Sequence, residues 1–178
     1  MKTPIKSIKE LIHELLNMSV DNTYGSVMKR VDIDPLDFEP YISWNEDHHT
    51  RNLLYKCSEF ELLLACSLPH QKTAIHNYGH QQGWAVVISG EMTEVRFLGS
   101  ESFNSVVEIS KNILKPGSVS YINDYQGLHQ FINSNDGKTL TLHLFVLPFE
   151  RYKKYNTETE EFEEVPISYD NDFRDEFK

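Results

Sequence analysis

The sequence predicts an all-β fold with N-terminal helices, its strands closing a small jelly-roll-like β-barrel. Three observations predict it. The first 45 residues carry apolar side chains at helical spacing. From residue 51 onward, short stretches rich in β-branched, leucine and aromatic residues follow one another, and turn residues separate them at short intervals. A chain of 178 residues, 39% hydrophobic and 25% charged, has the length and composition of one globular domain with a sizeable core. We read 1–178 as that domain, with 1–45 as a helical lead-in and 51–170 as the barrel and a closing hairpin.

Thr3-Pro4 reads as a helix opening, a hydroxyl cap followed by proline at the first helical position. Ile5, Ile8, Leu11, Ile12 and Leu15 then recur at three- and four-residue spacing, predicting an amphipathic helix to about Met18. A second helix is expected over 24–31, and a short third one over 36–42 after Asp34-Pro35. Strands are expected over 52–56, 60–67, 74–80, 83–89, 92–98, 106–113, 118–122, 130–132 and 139–147, with late segments at 151–156 and 162–168. Pro69, Ser89-Gly90, Pro116-Gly117, Asn123-Asp124, Asp136-Gly137 and Pro148 punctuate them. Asp136-Gly137 between two apolar runs is a hairpin signal. Trp84, Phe97, Phe131, Phe145 and Phe149 read as core, and Tyr152, Tyr155 and Phe162 as the packing of a closing hairpin whose turn is 156–161.

The net charge of −10 is concentrated at the end, where residues 156–178 hold nine acids against Arg174 and Lys178. That end reads as a solvated surface, and no basic footprint for nucleic acid exists. No apolar run approaches the roughly 20 residues that span a bilayer, and the first residues lack a signal peptide's continuous apolar stretch. Cys57 and Cys66 are not in a CxxC arrangement, and two free thiols in the cytoplasm are expected of them.

The chemistry follows the histidines. In Ile75-His76-Asn77-Tyr78-Gly79-His80, an extended chain turns His76, Tyr78 and His80 to one face unless Gly79 makes a bulge. Imidazoles on an inward face are costly to bury unpaired, so they are either ligands of a metal or hydrogen-bonded core histidines. Ten residues beyond His80 come Ser89-Gly90-Glu91, then Pro116-Gly117, then His129, the two-part layout of a cupin barrel. The segments Thr50-Arg51-Asn52-Leu53, Ile75-His76-Asn77-Tyr78-Gly79, Ile88-Ser89-Gly90, Tyr121-Ile122-Asn123-Asp124-Tyr125-Gln126-Gly127-Leu128-His129 and Leu142-His143-Leu144-Phe145 stand in a telling order. Through them the sequence resembles the cysteine dioxygenase family of non-haem iron thiol dioxygenases over almost its whole length.

The resemblance implies a cupin fold, a ferrous iron cofactor, and a small thiol and dioxygen as substrates, L-cysteine first, with both oxygen atoms transferred to sulfur. It implies a cytoplasmic monomer without nucleic-acid or membrane partners. It puts His76 and His129 at two metal-ligand positions, Arg51 where an arginine grips the substrate carboxylate, and His143 at the position of a histidine that supports the site. Arginine's planar fork suits a carboxylate as lysine does not. Two departures stand beside these matches. Tyr78 occupies the place of the family's second ligand histidine, and Phe145 the place of its active-site tyrosine; Gly83 stands where some members carry a cross-linking cysteine. The third metal position is therefore open between Tyr78, His80 and water. The alternatives to a cysteine dioxygenase are an enzyme acting on another small thiol acid and a catalytically silent cupin that binds a metal or a small acid. Tyr121 and Tyr125 are further candidates to line the pocket.

Overall fold

The computed structural model describes residues 3–19, 22–78 and 81–177. Among these residues, helices α1 (Ile8–Leu16) and α2 (Tyr24–Met28) and a 3-10 helix over Pro35–Tyr41 precede twelve strands. These are β1 (Thr50–Lys56), β2 (Phe60–Ser67), β3 (Ile75–His76), β4 (Gln82–Ser89), β5 (Met92–Ser100), β6 (Ser105–Leu114), β7 (Val119–Asn123), β8 (Leu128–Ile132), β9 (Thr139–Val146), β10 (Arg151–Asn156), β11 (Glu161–Pro166) and β12 (Asn171–Asp172). They form two six-stranded sheets, β12-β1-β2-β9-β4-β7 and β11-β10-β3-β8-β5-β6. The expected all-β fold with a helical lead-in is present, and its barrel is realised as these two sheets rather than as one closed cylinder. Among the described residues no helix is long and apolar enough to cross a membrane.

Strand alternation explains where each sheet points its chemistry. In β2, Phe60, Leu62, Leu64 and Cys66 join Leu140, Leu142 and Leu144 of β9 and Val86 and Ile88 of β4 against Ile8, Leu11, Ile12 and Leu15 of α1. The intervening residues belong to smaller clusters on the other face, Leu63, Ala65 and Phe145 in one and Ala85 and Val87 in another. Both faces of β2 and β9 are therefore covered, which is why every residue of each is buried, the Thr139, Thr141 and His143 side chains of β9 included. His143 and Phe145 fall on the face away from the helices, and so do His129 and Phe131 of β8, which contact them or their neighbours.

Four local expectations are corrected. The first helix is capped by Ser7, whose hydroxyl accepts the Glu10 amide, because Ile5 pairs with the 30–32 backbone instead of entering the helix. The second helix ends at Met28 behind a Thr23–Ser26 capping box. Asp136-Gly137 joins no hairpin: β8 and β9 lie in different sheets, and the Asn133 and Asn135 side chains hold the turn that carries the chain across. The strand expected over 74–80 ends at His76, where the Asn77 amide turns to the Lys153 carbonyl; Gly79 and His80, with the bulge imagined there, lie outside the described residues. The β10–β11 hairpin closes as expected across Asn156↔Glu161, with Tyr155 packed on Phe162. Cys57 and Cys66 are free.

Candidate metal and substrate site

β3 is only two residues long, but its pairing decides the site. His76 lies directly across from His129 of β8, and the two rings stand 4.6 Å apart. Each is fixed through Nδ1. His76 Nδ1 donates to the Ala74 carbonyl at 2.9 Å, and His129 Nδ1 donates to the Glu94 carboxylate at 3.3 Å. These bonds assign the tautomer: both Nε2 atoms keep a bare lone pair. His129 Nε2 is buried and has no hydrogen-bond partner among the described residues. Burial lowers the pKa of both imidazoles, that of His129 even against the neighbouring Glu94 carboxylate, so both are neutral.

Glu94 is itself buried on β5, and its partners explain how. Ser120 donates to it at 2.7 Å and Arg96 at 3.2 Å, while Arg96 also reaches the Tyr121 carbonyl. Burial alone would raise its carboxyl, but hydrogen bonds from His129 and Ser120 hold it below the usual range. It is thus an ionised acceptor that orients His129. Sequence reasoning missed this residue; the signal was a Glu-x-Arg pair inside the otherwise apolar strand Met92–Phe97.

Tyr78 follows β3. Its ring meets His129 edge-on at 4.8 Å, meets Phe145 edge-on at 4.8 Å, and lies 5.6 Å from His76. Burial pushes its hydroxyl far above the ordinary value, so it is a protonated phenol. Gly83 makes the room for it: a Cβ there would stand 2.5 Å from Tyr78 Cε2. His143 lies on β9, its Nε2 2.8 Å from the Thr141 hydroxyl. Burial, then the Arg51 charge, lowers its pKa to about 3, so it too is neutral.

Arg51, on β1, has its Nε bonded to the Ser168 carbonyl, and its terminal nitrogens have no protein partner among the described residues. It lines a cavity of about 220 Å³ with His76, Tyr78 and Phe145. A smaller recess of about 30 Å³ behind it reaches His143. The structure therefore gathers Arg51, His76, Tyr78 and His143 around one space, with His129 buried directly beside them. Tyr125 is fully exposed and Tyr121 packs tilted against Trp84, and neither lines the cavity. His49, Tyr169 and Asp170 do. The acidic end expected to be only a solvated surface thus supplies part of a cavity wall. Burial lowers the pKa of His49 to about 4.

The donor set suits a transition metal in part. Two neutral imidazoles with bare Nε2 atoms, each fixed from behind, are ordinary ligands for iron. Among the described residues no third His, Cys, Asp or Glu joins them, and Tyr78 is the side chain beside them.

The family model described as cysteine dioxygenase type I matches residues 2–158. The chain belongs to this family. Cysteine dioxygenase type 1 of Homo sapiens is 24% identical over 151 residues, covering 83% of this chain and 76% of the human one. A protein with a double-stranded β-helix domain from Klebsiella pneumoniae superposes with a TM-score of 0.52 at 19% identity, over 61% of this chain and 85% of that one. A Thermus thermophilus protein gives a TM-score of 0.52 at 16% identity, over 62% and 94%. The last two bear on the fold alone. As a member of the cysteine dioxygenase family the protein is an oxidoreductase of the dioxygenase class, and the family implies a bound metal.

Proposed function

We propose that the protein oxidises a small thiol, L-cysteine first, to its sulfinic acid, using dioxygen and Fe(II) held by His76 and His129. The observation that carries this reading is the pair of neutral imidazoles on neighbouring strands, each bonded through Nδ1 and so keeping Nε2 unprotonated, beside an arginine in the same cavity. When bound there, ferrous iron would supply open positions for the substrate sulfur and for dioxygen. Arg51 offers its two terminal nitrogens to the substrate carboxylate and so orients the thiol end toward the histidines. Tyr78, Phe145 and Phe149 form an apolar wall that limits water around the reacting sulfur. Tyr78 stands nearest the third metal position as a neutral phenol, and His143, neutral and bonded to Thr141, supports the inner recess. Two free cysteines support a cytoplasmic setting, and a monomer is the expected state.

The test is oxygen uptake by the iron(II)-loaded protein with L-cysteine, with the sulfinate quantified against the oxygen consumed. Equal amounts of oxygen consumed and sulfinate formed support the reading, because both oxygen atoms end on one sulfur. Absence of uptake with iron bound would remove cysteine as the substrate and leave another thiol acid or a silent binder. Within this reading, Arg51→Ala raises KM for L-cysteine roughly 10- to 100-fold, the worth of one to two charge-assisted hydrogen bonds, with iron content unchanged. Arg51→Lys recovers only part of that loss, since a point charge does not reproduce the fork. Equal loss of iron and of substrate affinity would make Arg51 a structural residue instead.

A further inference from the structure

We infer that the segment 167–172 builds the carboxylate subsite around Arg51, with Tyr169 as the positioning residue that sets where the guanidinium stands. This rests on the reading of Arg51 given above and extends it to residues beyond 158, where the family match ends.

Three consecutive residues grip Arg51. The Ser168 carbonyl accepts from its Nε at 3.2 Å, and the Tyr169 ring lies 6.0 Å from the guanidinium carbon. Asp170 brackets its backbone: Asp170 Oδ2 accepts the Arg51 amide at 2.8 Å, and the Asp170 amide donates to the Arg51 carbonyl at 2.8 Å. Immediately afterwards β12 runs parallel to β1, pairing Asn52 with Asn171 and Leu53 with Asp172, and the Phe173 amide closes on the Leu53 carbonyl. The segment is thus an added strand beside the one that carries Arg51.

Tyr169 is held at its far end as well. Its hydroxyl donates to Glu61 Oε2 at 2.6 Å and accepts from Lys56 Nζ at 3.1 Å, and Lys56 lies 3.1 Å from Glu61. Glu61 is 1% exposed, inward on β2, and a carboxyl group buried there needs the partners that Lys56 and Tyr169 provide. Tyr169 therefore bridges the half-buried Lys56–Glu61 pair and the guanidinium, and its ring has two cations beside it, Arg51 Cζ 6.0 Å and Lys56 Nζ 5.5 Å from the centroid. With Nε engaged and the plane supported, the guanidinium is left with its terminal nitrogens for a ligand. A side chain with several rotatable bonds would otherwise spend binding energy on being ordered.

The experiment is an anaerobic calorimetric titration of L-cysteine into the iron(II)-loaded protein, which reads affinity without turnover, with iron content and melting temperature measured on each sample. Tyr169→Leu removes both the ring and its anchor and is expected to weaken L-cysteine binding roughly 3- to 30-fold at unchanged iron content. Tyr169→Phe keeps the ring and loses only the Glu61 anchor, and is expected to recover most of that affinity. In an Arg51→Ala background, Tyr169→Leu is expected to add nothing, because the two act as one unit. If Arg51→Ala weakens binding and Tyr169→Leu does not, the positioning role is overturned while the function reading stands. If the wild-type protein does not bind L-cysteine, or Arg51→Ala leaves its affinity unchanged, the reading of Arg51 falls and the inference with it. Should Tyr169→Leu fail to fold, Tyr169→Met, which also removes the ring, decides: affinity loss at unchanged melting temperature and iron content supports positioning, and unchanged affinity or a parallel loss of stability, iron and affinity overturns it.

Discussion

Substituting His129 by alanine is expected to empty the metal site. Iron per chain, measured after ferrous loading and desalting, falls close to zero, and oxygen uptake with L-cysteine disappears with it. The reason is geometric. His129 faces His76 across paired strands, its Nε2 is buried without a hydrogen-bond partner among the described residues, and Glu94 fixes it from behind. Leaving a buried polar atom bare costs about 1–3 kcal/mol, and a metal ion is the ligand that would offset it. Glu94→Gln is expected to fall between wild type and His129→Ala. A glutamine carbonyl still accepts from Nδ1–H but adds no negative charge, so metal affinity drops by roughly 10–100-fold, the usual effect of losing an outer partner. Neither substitution touches Arg51, which therefore separates loss of metal from loss of substrate grip. A His129→Ala protein with full iron occupancy would show that the metal is held elsewhere.

The parts of this site legible in the sequence are those carried by strand periodicity and by family resemblance. Alternation in Thr139–Val146 turns His143 and Phe145 to the same face, and the family resemblance carried by the order of segments puts His76 and His129 in one site. Sequence reading failed where the decisive contact is long-range and the local signal points elsewhere. Asp136-Gly137 has hairpin chemistry, but turn residues set a reversal and not the sheet that the next strand joins. Ser168, Tyr169 and Asp170 sit in an acidic stretch that looks solvated, and their hold on Arg51 spans well over a hundred residues of sequence. Glu61 and Glu94 look like errors in apolar strands. Each is instead a buried carboxylate whose partners come from other strands or from the C-terminal segment, which no local pattern reports.

Gly83→Ala is expected to destabilise the fold and disturb the site together, although it adds a single methyl group. A Cβ at this position would stand 2.5 Å from Tyr78 Cε2 and 3.0 Å from Phe145 Cδ1. The need for glycine is one of space, since Gly83 is not among the residues with positive φ. The Tyr78 ring has little room to yield, with His129 and Phe145 against it and Phe149 tilted over it. Overpacking of this kind costs about 1–3 kcal/mol, and each kcal/mol lowers the melting temperature of a chain this size by roughly 2–4 °C. Because the displaced ring leans on His129, iron affinity should fall as well, measured by competition with a chelator. Two double variants locate the cause. Tyr78→Phe is expected not to rescue Gly83→Ala, because the clash is with a ring carbon rather than the hydroxyl. Tyr78→Leu is expected to rescue it, so that adding Gly83→Ala to Tyr78→Leu costs less than adding it to wild type. If Gly83→Ala melts with wild type and keeps its iron, the ring moves freely, and Tyr78 is then a mobile wall of the cavity instead of a fixed neighbour of His76 and His129.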